Sequence, residues 1–184
     1  MSKVVVIYHS GYGHTQRMAQ SVARGADAEL LVIDADGNMP EGGWETLATA
    51  DAIIMGSPTY MGSVSWQFKK FADASSKPWF SQSWKDKIFA GFTNSSCMNG
   101  DKLSTLHYLF TLAMQHGCVW VGVAELPNNS KAAQRNDRNY LGSFSGAMAQ
   151  SPSDAGANEM FAGDLETAET FGKRVADVAA RFKR

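Results

Sequence analysis

The apolar run Val4-Val5-Val6-Ile7-Tyr8 gives way, across a short turn, to the amphipathic stretch Gln16-Arg17-Met18-Ala19-Gln20-Ser21-Val22-Ala23, and this junction constrains the fold more than any other feature. A continuous apolar run predicts a strand covered on both faces, as in a parallel sheet, and the stretch that follows predicts a helix. Between them lie Ser10, Gly11, Tyr12, Gly13, His14 and Thr15. Two glycines permit backbone shapes that a Cβ forbids, and the hydroxyls of Ser10 and Thr15 can donate hydrogen bonds. The first N–H groups of the helix lack intrahelical partners and sit at the positive end of its dipole. Such a turn suits a phosphate group.

Three kinds of phosphate loop can be compared with it. A Walker loop ends in Gly-Lys-Ser/Thr, and no lysine occurs between Lys3 and Lys69. A dinucleotide fingerprint calls for a third glycine where this chain has Gln16, although Asp34 lies at a tolerable distance for a ribose contact. That reading stays open, as does a tight strand-to-helix connection with no ligand. A loop that holds a monophosphate through hydroxyls and backbone amides, without lysine, fits the residues best.

Further along, apolar segments at 28–33, 51–56, 88–93 and 118–122 predict four more strands. They alternate with helical patterns, the clearest marked by Val64, Phe68, Phe71 and Ala72, by Leu103, Leu106, Leu109, Phe110, Ala113 and Met114, and by Leu165, Ala168, Phe171, Val175, Val178 and Phe182. Ser63 or Ser65, Asp101 and Asp164 are the expected helix caps. Pro58 is expected to end the third strand, leaving Ser57 with Pro58, Thr59, Tyr60, Met61 and Gly62 as a loop. The fourth strand ends in Asn94, Ser95, Ser96, Cys97, Met98, Asn99 and Gly100, another polar loop. Residues 75–86, with Trp79 and Trp84, read as a loop, and residues 123–163 show no period. An aperiodic stretch of that length is expected to serve as a site-covering excursion.

Strand and helix in alternation, joined by right-handed crossovers, predict an α/β doubly wound three-layer sandwich with a five-stranded parallel sheet in the order 2-1-3-4-5. Ligands bind such sheets beyond the carboxyl ends of the strands, where the strand order reverses. The loops after the first, third and fourth strands meet there.

The 184 residues are expected to form one domain, 1–184, and a formal charge of −1 gives no reason to expect a nucleic-acid partner. No apolar stretch approaches the roughly 18 residues of a membrane span, so no membrane partner and a cytoplasmic location are expected. Cys97 and Cys118 lack metal-ligand or redox-pair spacing, and His9, His14 and His107 are too dispersed to suggest a metal site.

The three loops together resemble the flavodoxin superfamily and, within it, the WrbA-type NAD(P)H:quinone oxidoreductases. Ser10 to Thr15 resembles that family's FMN-phosphate loop, and Gly56 to Gly62, continuing to Phe71 and Asp73, its second flavin loop, with Met61 where a bulky aromatic is common. Asn94 to Gly100 matches the isoalloxazine loop in position, with Cys97, Met98 and Asn99 replacing a run of Thr and Gly. The resemblance implies FMN as cofactor, NAD(P)H as co-substrate and a quinone or similar flat acceptor. It also implies a homo-oligomer, dimer or tetramer, in which Trp79 reaches a neighbouring subunit's pocket. His116 matches a histidine that in that family lies beside the substrate cavity, which implies that it could orient the acceptor or supply a proton, and Phe144 is the nearest counterpart of the family's Tyr-Gly segment near the flavin. An electron-carrier flavodoxin and a non-redox nucleotide-binding module built on the same sheet are the alternative readings.

Overall fold

The structure, a computed structural model, describes residues 2–182. β1 (Val4–His9) lies between β2 (Glu29–Ile33) and β3 (Ala52–Tyr60); β5 (Ile88–Ser95) follows β3, and β6 (Val119–Trp120) closes the order β2-β1-β3-β5-β6. Every pairing among these is parallel, with Val6 opposite Leu30 and Ile54, and Ile54 opposite Ala90. A short β4 (Ser63–Val64) folds back antiparallel on β3, so the predicted order 2-1-3-4-5 is the observed order of the five main strands.

β1 is buried along its whole length because alternate residues enter two cores. Val4, Val6 and Tyr8 pack with α1 (His14–Ala26) and α6 (Ala162–Phe182), through Met18, Val22, Phe171 and Val175. Val5 and Ile7 face the opposite layer, formed by α3 (Trp66–Ala74) and α5 (Lys102–Gln115), through Phe68, Phe71, Leu106 and Leu109. α1 and α6 approach closely because glycine faces backbone at the crossing. A Cβ on Gly25 would lie 1.9 Å from the Glu169 carbonyl oxygen, and one on Gly172 would lie 2.0 Å from that of Val22.

Several sequence expectations require correction. Pro58 does not stop its strand: β3 runs on to Tyr60 and pairs Pro58 with Asn94. Pairing with β1 has already ended at Gly56, so that side of β3 has no ladder to lose to a proline. Residues 75–86 are not all loop, since α2 (Gly43–Thr49) is followed later by a one-turn α4 (Ser76–Phe80). Of the expected caps, Ser65 Oγ accepts from Phe68 N–H, whereas Asp101 adopts a left-handed conformation and makes no side-chain cap bond.

The largest difference is the fifth strand, which is split. β6 pairs with the start of β5, and β7 (Ala147–Gln150) pairs with its end, Phe92 opposite Ala147 and Ser95 opposite Gln150. The intervening chain leaves after Val121 and returns at Gly146, where a Cβ would meet the Gly91 carbonyl oxygen at 2.2 Å. It is tied down by Asn139, whose Nδ2 donates to the Glu125 and Ser143 carbonyls and whose Oδ1 accepts from Ser143 N–H. Asp164, the expected cap of α6, is instead buried and forms a bidentate pair with Arg135, at 2.8 and 2.6 Å. Among the described residues no helix is long and apolar enough to cross a membrane.

Candidate flavin cleft

At the carboxyl edge of the sheet the first loop is held in shape by its own serine. Ser10 Oγ accepts from the N–H groups of Gly13 and Gln16, both at 3.1 Å, which curls the chain into α1 through Gly13 at φ +88°. With two bonds accepted, the hydroxyl's proton remains free to donate outward. The α1 ladder begins with Arg17 N–H donating to the Gly13 carbonyl, and among the described residues nothing accepts from the N–H groups of Tyr12, His14 or Thr15. Unpaired amides at a helix N-terminus beside a cleft are the donor set a phosphate monoester needs, so the loop fits FMN.

The second wall is the end of β3 and its return through β4. Met61 and Gly62 both have positive φ, +47° and +77°, the signature of a two-residue type I′ hairpin. The turn leaves Met61 fully exposed at the cleft mouth, with the rings of Tyr12 and Tyr60 edge to face at 6.5 Å beside it. Burial keeps the Tyr60 hydroxyl protonated by raising its pKa. Thr59 lines the cleft, but its hydroxyl is turned into the core, 2.8 Å from the hydroxyls of both Thr93 and Thr105. That buried hydroxyl cluster fastens the β3 and β5 loop bases together.

Behind the third loop stands Lys102, 1% exposed, whose Nζ donates to Ser95 Oγ and to the carbonyls of Cys97 and Met98. A fourth wall comes from the excursion at 123–163 that was expected to cover the site, although its lining residues were not singled out in the sequence. Ser151, Pro152, Ser153, Ala155 and Gly156, which follow β7, close over the cleft. His14 Nε2–H donates to the Ala155 carbonyl at 2.8 Å, and Ser151 Oγ donates to Asn94 Oδ1 at 2.8 Å, so this segment clasps both the first and third loops. Beyond the length of the excursion, its local signal was the polar Ser-Pro-Ser run that follows β7, a strand too short and too poor in branched residues to stand out.

The walls enclose about 680 Å³, within the range of small-molecule and cofactor sites. Ser10, Gly11, Tyr12, His14 and Thr15 line it with Pro58 to Gly62 and with Asn94, Ser95, Ser96, Cys97 and Gly100. None of the lining residues is Asp, Glu, Lys or Arg. Gly13 shapes the first loop without lining the cleft, and Met98 and Asn99 face a separate cavity of about 490 Å³ together with Phe144.

Two other candidates lie elsewhere in this chain. His116 ends α5, next to the Gly117 carbonyl that accepts from Asp86 N–H just before β5 begins, and so it sits at the amino edge of the sheet. It is 2% exposed, packed on Trp84, and donates from Nε2 to Ser75 Oγ, which itself donates to the Ala72 carbonyl. Burial lowers its pKa. Among the described residues its contacts are those of a packing residue, away from the cleft. Trp79 stands half-exposed on α4 beside the more exposed Phe80, outside the cleft.

Comparison with known proteins agrees with this geometry. The family model described as NADPH-dependent FMN reductase matches residues 2–132. The chain is 54% identical over 182 residues to "Flavodoxin FldP" of Pseudomonas aeruginosa, covering 99% of each. It is 34% identical over 206 aligned positions to an "NAD(P)H dehydrogenase (quinone)" of Geotalea uraniireducens, covering 99% of this chain and 100% of that protein. The crystal structure of a flavodoxin, WrbA-like protein from Agrobacterium tumefaciens superimposes with a TM-score of 0.82 at 56% identity, over 100% of both chains. With that fold, and with a phosphate loop that fits FMN, the chain belongs to the NADPH-dependent FMN reductase family of flavodoxin-like, WrbA-type proteins.

Proposed function

We propose that the protein takes hydride from NAD(P)H onto FMN and passes two electrons to a quinone or similar flat acceptor. The observation that carries this reading is the uncharged lining of the cleft, with an exposed Met61 and two tyrosines at its mouth. Bound FMN supplies the ring that accepts hydride and releases electrons. The chain's part is to hold and cover it. The Ser10 hydroxyl and the amides of Tyr12, His14 and Thr15 bind the phosphate, while the Met61 hairpin and the loop from Asn94 to Gly100 flank the ring. The segment at 151–156 narrows the entrance. No group of the chain needs to carry a proton at the reacting atoms, and His116, packed away from the cleft, is assigned no such role.

One relative favours a second reading, since the protein 54% identical to this chain is named a flavodoxin, a name that suggests an electron carrier. A carrier docking on protein partners depends on charge around its redox centre for steering and orientation. The uncharged lining and a net charge of −1 favour a small acceptor instead. Stopped-flow mixing of FMN-loaded protein with NADH and with NADPH separates the two. Flavin bleaching by at least one nucleotide, followed by reoxidation with a soluble quinone at a rate nearly independent of salt, is the expected result. If neither nucleotide reduces the flavin while a reduced redox protein does so in a salt-dependent way, the carrier reading takes its place.

The adjacent exposed rings of Trp79 and Phe80 support a homo-oligomer in which this apolar pair meets a second subunit. Light scattering on the same preparation is expected to give a dimer or tetramer. A fully active monomer would contradict it.

A further inference from the structure

Lys102 is the first residue of α5, and its three ammonium protons are all used inside one loop: on Ser95 Oγ at 3.0 Å, the Cys97 carbonyl at 2.8 Å and the Met98 carbonyl at 2.9 Å. All three acceptors are neutral. Among the described residues no carboxylate lies within ion-pair distance of it. Burying an ammonium without a counter-charge is costly, and a loop can be closed without one. The N-terminus of α5 adds positive potential at the same place. Two of the three acceptor residues, Ser95 and Cys97, line the cleft, and the lining has no charge of its own. Lys102 therefore puts a full positive charge directly behind this wall, and the other charges that act on it, Asp164 and Arg135, are paired with each other.

We propose that Lys102 is the fixed cation of the flavin site: it moulds the loop from Asn94 to Gly100, and its charge stabilises reduced FMN over oxidised FMN. The inference rests on the FMN reading above. A hydride carries two electrons and one proton, so a neutral flavin ring that receives one becomes an anion unless a second proton follows. A positive charge behind the ring acts on the reduced form and leaves the oxidised form almost unaffected. That difference in affinity is a rise in the two-electron potential. Selection of an anionic product also suits a site whose donor is a nicotinamide.

The same residue gives the potential a pH signature. Burial pushes the Lys102 ammonium down to about 8. Asp164 on α6 and Cys97 in the loop favour its charged form, and Arg135 from the excursion opposes it. Around that pH the oxidised holoprotein is losing the proton, and an anion on the ring draws it back. Reduction then takes up two electrons and two protons, one on the ring and one on the Lys102 amine. Below that window it takes up two electrons and one proton.

The test is a dye-equilibrated reductive titration of the FMN-loaded protein at a series of pH values. The plot of potential against pH is expected to steepen through about pH 8 by one extra proton per two electrons, about 30 mV per pH unit. In Lys102→Met the steepening is expected to vanish, and the preference for reduced over oxidised FMN to fall about tenfold at neutral pH, a loss of about 30 mV. Lys102→Arg is expected to keep the neutral-pH potential and lose the steepening, because a guanidinium does not titrate there. A wild-type plot of constant slope, or a Met variant with unchanged potential, overturns the inference. The wild-type titration needs no substitution, so it decides the matter even if the variants fail to fold. Failure of the protein to bind FMN overturns the FMN reading and this inference together, whereas bound FMN with a constant slope overturns this inference alone.

Discussion

Asp164→Asn is expected to destabilise the protein by about 3–5 kcal/mol, the cost typical of breaking a buried ion pair from one side. Asp164 is 2% exposed and accepts from Arg135 Nη1 and Nη2 and from Gln150 N–H, the last at 2.9 Å. The guanidinium is itself mostly covered, with its Cζ 3.8 Å from the centroid of the Phe161 ring. An asparagine can accept at one position only and turns an amide donor toward another donor. The guanidinium is left buried without its counter-charge. Gln150 ends β7, and Ser151, the next residue, lines the cleft, so the same substitution is expected to weaken FMN binding. Urea unfolding of the apo- and FMN-loaded protein measures both effects. Replacing the pair together, Arg135→Met with Asp164→Leu, is expected to recover much of the lost stability, since two apolar groups leave no charge unpaired. A single variant within about 1 kcal/mol of wild type, the worth of an exposed pair, would show that the excursion is held by other contacts.

The part of the fold that short-range pattern dictates was legible in the sequence. A buried parallel strand must be apolar throughout, so β1, β3 and β5 announced themselves, and the glycines and hydroxyls between β1 and α1 marked the phosphate loop. What escaped depends on long-range pairing. β7 is four residues long, Ala-Met-Ala-Gln, and becomes a strand because β5 extends past the short β6 and leaves its end open. The excursion at 123–163 was expected to cover the site, and its Ser151 to Gly156 segment does line the cleft; which of its residues return there was not legible, since nothing local shows it. Pro58 misled because its effect depends on whether a neighbouring strand still needs its N–H. His116 and Trp79 illustrate a different limit. Their residue types are readable by resemblance, but burial is set by long-range packing: His116 is covered by Trp84 and Ser75, while Trp79 stays half-exposed outside the cleft.

Ser10→Ala should reduce FMN affinity by about 3 kcal/mol, roughly two orders of magnitude in Kd, while riboflavin binding changes much less. Two losses combine. The Gly13 and Gln16 N–H groups lose the oxygen that curls the loop, and the cleft loses a hydroxyl whose remaining proton is free for a phosphate oxygen. A hydrogen bond to a charged group contributes about 1.5–3 kcal/mol by itself, and riboflavin has no phosphate to receive it. Thr15→Ala separates the two terms, because among the described residues its hydroxyl makes no hydrogen bond that shapes the loop, and its expected cost is confined to the phosphate bond. The comparison of the four affinities, FMN and riboflavin on each variant, is made by fluorescence titration of the apoprotein. Equal losses for FMN and riboflavin in both variants would mean that the loop supports the ring and does not hold a phosphate. A loss for FMN alone, larger in Ser10→Ala than in Thr15→Ala, is what a preorganised monophosphate loop requires: the amides of Tyr12, His14 and Thr15 are useful to the ligand only while Ser10 keeps them converged.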